Sequence, residues 1–331
     1  RQLEILVADI GGTNARLAIA SADKNQSIGL AWERHYSVAD FDGFDQCLTE
    51  YRGSLTGKLP ASALFAVAAP TEQDEIAFTN SPWRFSKSAI EREFSFQHVG
   101  CINDFEAVAH AAAMASSDQL QPILKPLERP QKDQDSGVTA VLGPGTGLGV
   151  SYIVRNRAGY HIQKTEAAHI GFSPSDEVED LLHIHLRRKF GRVSAERLTS
   201  GNGLNQIYSF LAERITGQHQ DISDQDVWNK CLSYENDLAV EAMNRYCRIF
   251  GAVAGDLALA QGASRVILAG GITKKLSTFL RDGNFQSGFI EKGRFKNMMQ
   301  NIQLEVLAVE QPGLNGAALR FFSDEDLIRT T

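Results

Sequence analysis

Long apolar runs, clustered cysteines and an excess of basic residues are all missing from this sequence of 331 residues. No apolar run approaches the roughly 20 residues that a membrane-spanning helix needs, so we expect no membrane partner. Acidic residues outnumber basic ones by 40 to 33, which gives a formal net charge of −7 at pH 7. This balance argues against nucleic acid or an anionic membrane surface as the main partner.

The cysteines are few and scattered. Cys47, Cys101, Cys231 and Cys247 form no C-x-x-C pair, and each lies in an apolar strand or helix pattern. This distribution is typical of buried free thiols in a reducing compartment, with a disulfide or a zinc site as the less favoured alternative. A strand pattern begins by residue 4 without a signal-peptide pattern before it, so we expect a cytoplasmic protein.

Strand and helix patterns alternate along the chain, which predicts an α/β fold. Helices are expected after a cap at Asp42, at a capping box formed by Ser88 and Glu91, after a cap at Ser194, and near the C-terminus. A further helix is predicted from Phe105 to Met114, and residues 116–137 are predicted to be a surface loop or domain connection. The predicted strands are Glu4–Asp9, Arg16–Ala20, Leu30–Val38, Ala63–Ala69, His98–Ile102, Val138–Leu142, Val150–Val154, Gly159–Lys164, Val266–Leu268 and Gln303–Val309.

One local pattern occurs twice. LVADIGGTNARLAIA (6–20) and the segment around GPGTGLG (143–149) each place a glycine- and threonine-containing turn between two strands, which predicts two similar domains facing each other. Glycine N–H groups can approach an anion closely, and a threonine or asparagine adds donors, so the two turns together can hold the phosphates of a nucleotide. Either turn alone can equally be structural. Neither glycine turn matches a P-loop or a Rossmann fingerprint. Asp9, which precedes the first turn, can hold Mg²⁺ through water.

Other polar residues stand at the ends of predicted elements, each with a structural alternative. Asn103-Asp104 follows a strand, where ligands bind in α/β sheets, but both residue types are also favoured helix caps. Glu166 and His169 follow another strand, and Glu196 begins a helix, where the macrodipole alone stabilises an acid. The turns LAGGIT, with Gly270 and Gly271, and QPGLNGAA (311–318) can line a pocket for a base or be ordinary tight turns.

Taken in order, these motifs resemble those of the bacterial ATP-dependent glucokinases, within the actin/hexokinase/Hsp70 superfamily. The resemblance implies two ribonuclease-H-like (actin-like ATPase) domains, residues 1–113 with 309–331 and residues 114–308, with an active-site cleft between them. It implies ATP, Mg²⁺ and glucose as ligands, glucose 6-phosphate and ADP as products, and a homodimer. The matching motifs are DIGGTNARLA, TNSPWRFS, INDFEAVA, GPGTGLGV, E-x-x-H, VSAERLTSG, LAGGI, KGRF and QPGLNG.

The resemblance also implies roles for individual residues. Asp104 would be the base that receives the proton of the sugar 6-hydroxyl. The other sugar hydroxyls would be bound by Asn103, Glu166, His169 and Glu196. The nucleotide and its phosphates would be bound by Asp9, Gly11, Gly12, Thr13, Asn14, Gly145, Thr146, Gly147, Gly270 and Gly271.

The sugar loop departs from the family pattern. Ala167 and Ala168 stand where the family has two glycines, and their methyl groups disfavour positive φ and are expected to narrow the pocket. Hexose selectivity is therefore open, and a kinase for fructose, mannose or an amino sugar is an alternative. A sugar-responsive regulator is a third possibility. It is less favoured because the sequence starts with a strand, lacks clustered cysteines and carries Asp104.

Overall fold

The computed structural model describes residues 3–22, 28–78, 81–124, 126–127 and 136–323. The chain divides into two compact units, Arg1–Ala115 with Val309–Thr331, and Ser116–Ala308. The boundary expected from the sequence lies two residues earlier. Thr79 and Asn80, which open one of the family motifs, lie outside the described residues.

The first unit is built on a five-stranded mixed sheet. Its strands are β1 (Leu3–Ile10), β2 (Asn14–Ala22), β3 (Ile28–Ser37), β4 (Ser62–Val67), β5 (Glu75–Ala77), β6 (Arg84–Ser86) and β7 (His98–Asn103), and its helices are α1 (Phe44–Gly53), α2 (Lys87–Phe94), α3 (Asp104–Ala113) and α12 (Pro312–Phe322). The main sheet has the order β3-β2-β1-β4-β7, and β5 and β6 form a separate hairpin. β1, β4 and β7 run parallel, whereas β2 is antiparallel to both of its neighbours.

Helices and loops cover both faces of this sheet, which is why β4 is buried at every position. Because side chains alternate between the faces of a strand, Phe65 packs into one hydrophobic cluster and Leu64 into the other. The first cluster includes Phe44 of α1, and the second includes Leu314 and Phe321 of α12. The C-terminal helix therefore completes the core of the first unit.

The second unit repeats the arrangement. Its strands are β8 (Leu120–Leu124), β9 (Gly137–Pro144), β10 (Leu148–Asn156), β11 (Gly159–Lys164), β12 (Arg265–Leu268) and β13 (Gln303–Leu307), and its helices are α4 (Glu177–Phe190), α5 (Glu196–Thr199), α6 (Gly203–Thr216), α7 (Asp224–Leu232), α8 (Asp237–Ala260), α9 (Gly271–Lys275), α10 (Asn284–Ile290) and α11 (Lys296–Met299). The sheet order is β11-β10-β9-β12-β13-β8. Both sheets thus consist of a three-stranded meander followed by two parallel strands, the ribonuclease-H-like arrangement, with β8 added antiparallel at one edge. The predicted α/β fold and its duplication are confirmed.

Helix starts were the least accurate predictions. α1 begins after Gly43, and the predicted cap Asp42 instead interacts with the side chain of Gln46. α5 begins after Ala195, so the cap at Ser194 is also wrong.

The predicted capping box of α2 is wrong as well. Ser86 is the cap, and its hydroxyl accepts the Ala89 N–H, whereas the Ser88 hydroxyl donates to Asp74. The carboxylate of Glu91 accepts the N–H of Val99 at 2.8 Å. Both side chains of the sequence motif are therefore used in tertiary contacts.

The segment predicted as a loop, residues 116–137, contains the edge strand β8, so that prediction was wrong in part. β8 pairs with β13, which lies about 180 residues further along the chain. Residues 125 and 128–135 of the segment lie outside the described residues.

The four cysteines are free thiols, as predicted, and three of them are buried. Burial raises the pKa of Cys47, Cys101 and Cys231 to about 12 each. Across the described ranges, no group of three or more His, Cys, Asp or Glu residues is arranged to hold a metal ion. No helix in that part of the chain has the length and apolar character to cross a membrane.

Candidate active site

The first glycine turn, between β1 and β2, is held by its own backbone and by a neighbouring strand. Gly11 N–H donates to the Asn14 carbonyl at 2.9 Å, and the Thr13 carbonyl accepts the N–H of Val38 at 2.9 Å. The Asn14 amide donates to the Thr13 hydroxyl, and its oxygen lies 3.1 Å from His35 Nε2. The predicted phosphate-binding residues of this unit thus lie on one turn, which these hydrogen bonds hold in place.

Asp9 lies next to this turn, on the penultimate residue of β1. Its side chain is 21% exposed and stands 3.4 Å from Arg16. Burial raises the pKa of Asp9, and the nearby Arg16 guanidinium offsets this only in part. Gly313 in the first turn of α12 packs against the carboxylate, and a Cβ there would lie 2.5 Å from Oδ2. A cation near Asp9 would stabilise its ionised form.

Asn103 and Asp104 lie at the junction of β7 and α3. The Asn103 side-chain oxygen accepts the N–H groups of Phe105 and Glu106 at 2.9 and 3.2 Å, so this residue is a helix cap. Its amide N–H donors have no partner among the residues that the structure describes, which leaves them for a ligand. Asp104 Oδ1 accepts the Phe105 N–H at 2.8 Å. Asn103 can therefore cap α3 with its side-chain oxygen and still offer its amide N–H groups to a ligand, so the two interpretations of this pair are compatible.

Strand register places Asp9 and Asn103 at one edge of the sheet. Ile10 pairs with Val67, and Val67 pairs with Asn103. Neighbouring strands lie about 4.8 Å apart, so the ends of β1 and β7 are separated by about 10 Å. This edge carries the carboxyl ends of the parallel strands, which is where ligands bind in open α/β sheets.

The second glycine turn, Gly145–Gly147 between β9 and β10, is held by residues far along the chain. The Gly145 carbonyl accepts the N–H of Gly201 at 2.7 Å, and the Leu148 N–H donates to the Glu196 carboxylate at 3.1 Å. A Cβ on Gly147 would lie 2.5 Å from Glu196 Oε2. The turn therefore requires glycine beside Glu196.

Gly270 lies against the same turn. It has a φ of +91°, and a Cβ there would lie 3.2 Å from the Pro144 carbonyl oxygen. Gly271 begins α9, whose Ile272 side chain lies close to Gly201. The structure thus brings together the two predicted nucleotide-binding segments of the second unit, Gly145–Gly147 and Gly270-Gly271. By contrast, QPGLNGAA belongs to the first unit, where it begins α12 beside Asp9.

Gly201 was not singled out by the sequence, although it belongs to the quoted motif VSAERLTSG. A Cβ on it would stand 3.0 Å from the Gly145 carbonyl oxygen. The first glycine of TSGNG was the available indication, but its contact is with Gly145, a residue more than 50 positions earlier in the chain.

Glu166 and His169 lie on a 3₁₀ turn that follows β11. Their side chains are 88% and 56% exposed, with 3.8 Å between Glu166 Oε2 and His169 Nε2. The next residues, Ile170–Phe172, pair with Val193–Ala195, which lead directly into Glu196. The predicted sugar-binding residues of the second unit are therefore on adjacent segments.

The two alanines of the sugar loop do not strain it. The non-glycine residues with positive φ in the described ranges are Trp32, Ser95, Tyr234 and Gln311. Ala168 is 2% exposed and belongs to the hydrophobic core, while Ala167 packs against that core. Neither alanine has a positive φ, which agrees with the expected restriction of the backbone, whereas the expectation that the methyl of Ala168 narrows a pocket was wrong.

Two ribonuclease-H-like units, each with a glycine turn between the first two strands of its three-stranded meander, define a protein of the actin-like ATPase and sugar kinase class. A family model described as Glucokinase matches residues 6–323. The glucokinase of Zymomonas mobilis subsp. mobilis is 37% identical over 319 residues, which are 96% of this chain and 98% of that protein. The chain belongs to the glucokinase family and is an ATP-dependent glucose kinase.

Solved structures agree with this assignment. The structure of a glucokinase from an Antarctic psychrotroph is 30% identical, with a TM-score of 0.81 over 97% of this chain and 99% of that one. A ROK family glucokinase from Streptomyces griseus, in complex with glucose and AMPPNP, shares the fold at 18% identity and a TM-score of 0.63, over 95% and 98% of the two chains. The alternatives of a different hexose kinase or a non-catalytic regulator are not favoured.

Proposed function

We propose that this chain transfers the γ-phosphoryl group of ATP to the 6-hydroxyl of D-glucose with Asp104 as the catalytic base. The products are glucose 6-phosphate and ADP. The observation that carries this assignment is the position of Asp104, which follows β7 at the same sheet edge as Asp9 and the first glycine turn.

In the proposed reaction, the sugar O6 attacks the γ-phosphorus while its proton passes to the Asp104 carboxylate. The bond between the γ-phosphorus and the bridging oxygen breaks, and ADP leaves. Phosphoryl transfer depends mainly on positioning and charge stabilisation, so one oriented carboxylate suffices as the base. The α3 N-terminus also favours the ionised form of a carboxylate in its first turn.

Glucose offers only hydroxyl groups, so its recognition requires a set of directed hydrogen bonds. We assign these to the Asn103 amide and to Glu166, His169 and Glu196. A sugar that leaves one of these polar groups unpaired is penalised, which is the physical basis of the selectivity.

We assign the ATP phosphates to the two glycine turns: Gly11, Gly12, Thr13 and Asn14 in the first unit, and Gly145, Thr146 and Gly147 in the second. Gly270 and Gly271 would lie against the rest of the nucleotide. Asp9 fits a Mg²⁺ site through water, because it is a largely buried carboxylate next to one of these turns. When bound, Mg²⁺ would offset phosphate charge.

We further propose that the enzyme acts in the cytoplasm as a homodimer. The free buried thiols support the first statement, and the resemblance to the family supports the second. Light scattering after size-exclusion chromatography tests the dimer, and a single species with the mass of one chain, 36.3 kDa, would refute it.

A coupled assay that measures ADP production with ATP, Mg²⁺ and glucose tests the function, with mannose and fructose in parallel. We expect the kcat/KM for glucose to be the highest. If mannose or fructose exceeded it, the substrate would have to be reassigned. If no sugar stimulated ADP production, the proposed function would be wrong.

A further inference from the structure

The segment from Glu196 to Gly201 contacts the second glycine turn at both of its ends. Glu196 accepts the N–H of Leu148 at 3.1 Å, and Gly201 donates to the carbonyl of Gly145 at 2.7 Å. We call Glu196–Gly201 the brace. It binds the first and last parts of the turn, and the turn is the part of the second unit assigned to ATP phosphates.

The brace is itself fixed to the core of the second unit. The Tyr246 hydroxyl in α8 donates to the Thr199 carbonyl at 2.8 Å, and the Trp228 indole in α7 donates to the Gly201 carbonyl at 2.7 Å. Thr199 and Tyr246 are fully buried. Because these hydrogen bonds lie in the interior, they fix the backbone of the brace, and the Glu196 side chain is the part of the brace that reaches the turn.

We propose that Glu196 is a positioning residue that couples occupancy of the sugar site to the turn that binds the phosphates. This inference rests on the proposed function, in which Glu196 also accepts a hydrogen bond from the sugar. A carboxylate has two oxygens, so one can hold the Leu148 N–H while the other accepts a sugar hydroxyl. The bound sugar would then fix the rotamer of Glu196.

A Glu196 side chain fixed in this way orders the turn before the nucleotide arrives. The turn then loses less conformational freedom when the nucleotide binds, which gives positive coupling without a change of fold. The coupling is reciprocal, so glucose and nucleotide increase each other's affinity by the same factor. Glu166 provides a contrast, since its side chain is 88% exposed and lies next to His169.

Calorimetric titration tests the coupling. The affinity for the non-hydrolysable analogue AMP-PNP, with Mg²⁺, is measured without glucose and with saturating glucose. For the wild-type chain we expect glucose to increase the affinity by about 5-fold or more. For Glu196→Gln the ratio should fall towards 1, whereas for Glu166→Gln it should stay at the wild-type value, although glucose itself binds more weakly.

A second variant approaches the contact from the other side. Gly147→Ala would displace the Glu196 carboxylate without removing it, and it should also bring the ratio towards 1. Circular dichroism and the Tm of each variant exclude misfolding as the cause.

Two outcomes separate this inference from the proposed function. If Glu196→Gln weakens glucose binding but keeps the wild-type ratio, or if wild type itself shows a ratio of 1, the coupling is refuted while the function stands. If neither Glu166→Gln nor Glu196→Gln changes glucose affinity, the assignment of the sugar site is wrong, and the inference fails with it.

Discussion

Gly313 lies so close to Asp9 that only a residue without a Cβ fits beside the carboxylate. A Cβ at position 313 would lie 2.5 Å from Asp9 Oδ2 and 2.6 Å from its carboxyl carbon. The two residues come from opposite ends of the chain, and the start of α12 brings them together. The position of the Asp9 carboxylate next to the first glycine turn therefore depends on residue 313 being glycine.

The first prediction concerns this contact. Gly313→Ala should displace the Asp9 carboxylate and lower kcat by about 10-fold, which is the size of an effect near 1.4 kcal/mol on the barrier. Alanine is the better helix former, so the Tm should change little. Gly53→Ala, at a helix position with open space around it, is the control and should keep full activity. Unchanged kcat in Gly313→Ala would show that the position of Asp9 does not matter for turnover.

Replacement of the proposed base gives the second prediction. Asp104→Asn keeps a side-chain oxygen that can accept the Phe105 N–H, so the fold and glucose binding should be preserved. Loss of a general base should lower kcat by about 10² or more. Steady-state kinetics together with glucose titration measures both effects. A variant with near-normal turnover would remove Asp104 from the mechanism.

The sugar loop gives the third prediction. Glu166→Gln should raise the KM for glucose more than the KM for ATP, because the residue is assigned to a sugar hydroxyl. Its side chain is 88% exposed, so the stability should stay within about 0.5 kcal/mol of wild type. Glu177→Gln, another exposed acid in the second unit, serves as the control. A change confined to the KM for ATP would place the loop at the nucleotide instead.

The fourth prediction is a pH dependence of stability. Burial raises the pKa of Asp176, but the hydrogen bonds from Arg245 and from the Glu179 N–H and the positive charges nearby outweigh burial and leave the pKa below its ordinary value of 3.8. A lowered pKa in the folded state stabilises the protein above the unfolded value, and that stabilisation is lost as the pH falls through the folded value.

Asp176→Asn should therefore reduce the free energy of unfolding by about 1–3 kcal/mol at pH 7, the range for a hydrogen bond to a charged group. The deficit should be the same at pH 6 and should shrink below about pH 4, where the wild-type carboxylate also becomes neutral. Urea denaturation at several pH values measures it. A deficit independent of pH would show that the charge of Asp176 contributes nothing.

Local patterns were enough to predict the two sheets apart from the edge strand β8, and to place most of the candidate site residues at the ends of strands. Asp9, Asn103 and the glycine turns stand at the ends of apolar strands, and this arrangement is visible within a few residues. Gly201 and Gly313 were missed because their partners, Gly145 and Asp9, are distant in sequence. The cap of α2 was misplaced because Asp74, brought close by the fold, binds Ser88. Contacts between residues this far apart in sequence become visible only in the folded structure.

The last prediction concerns Ala168, where the resemblance to the family suggested a narrowed sugar pocket and the structure shows a buried methyl group. Ala168→Gly should lower the free energy of unfolding by about 1–2 kcal/mol, because it removes a buried methyl group and adds backbone freedom to the unfolded chain. The ratio of kcat/KM for glucose to that for mannose should stay at the wild-type value, since Ala168 is 2% exposed. Denaturation curves and the hexose panel measure both quantities, with Ala167→Gly as the neighbouring comparison. A changed hexose ratio with unchanged stability would show that the methyl group of Ala168 contacts the sugar after all.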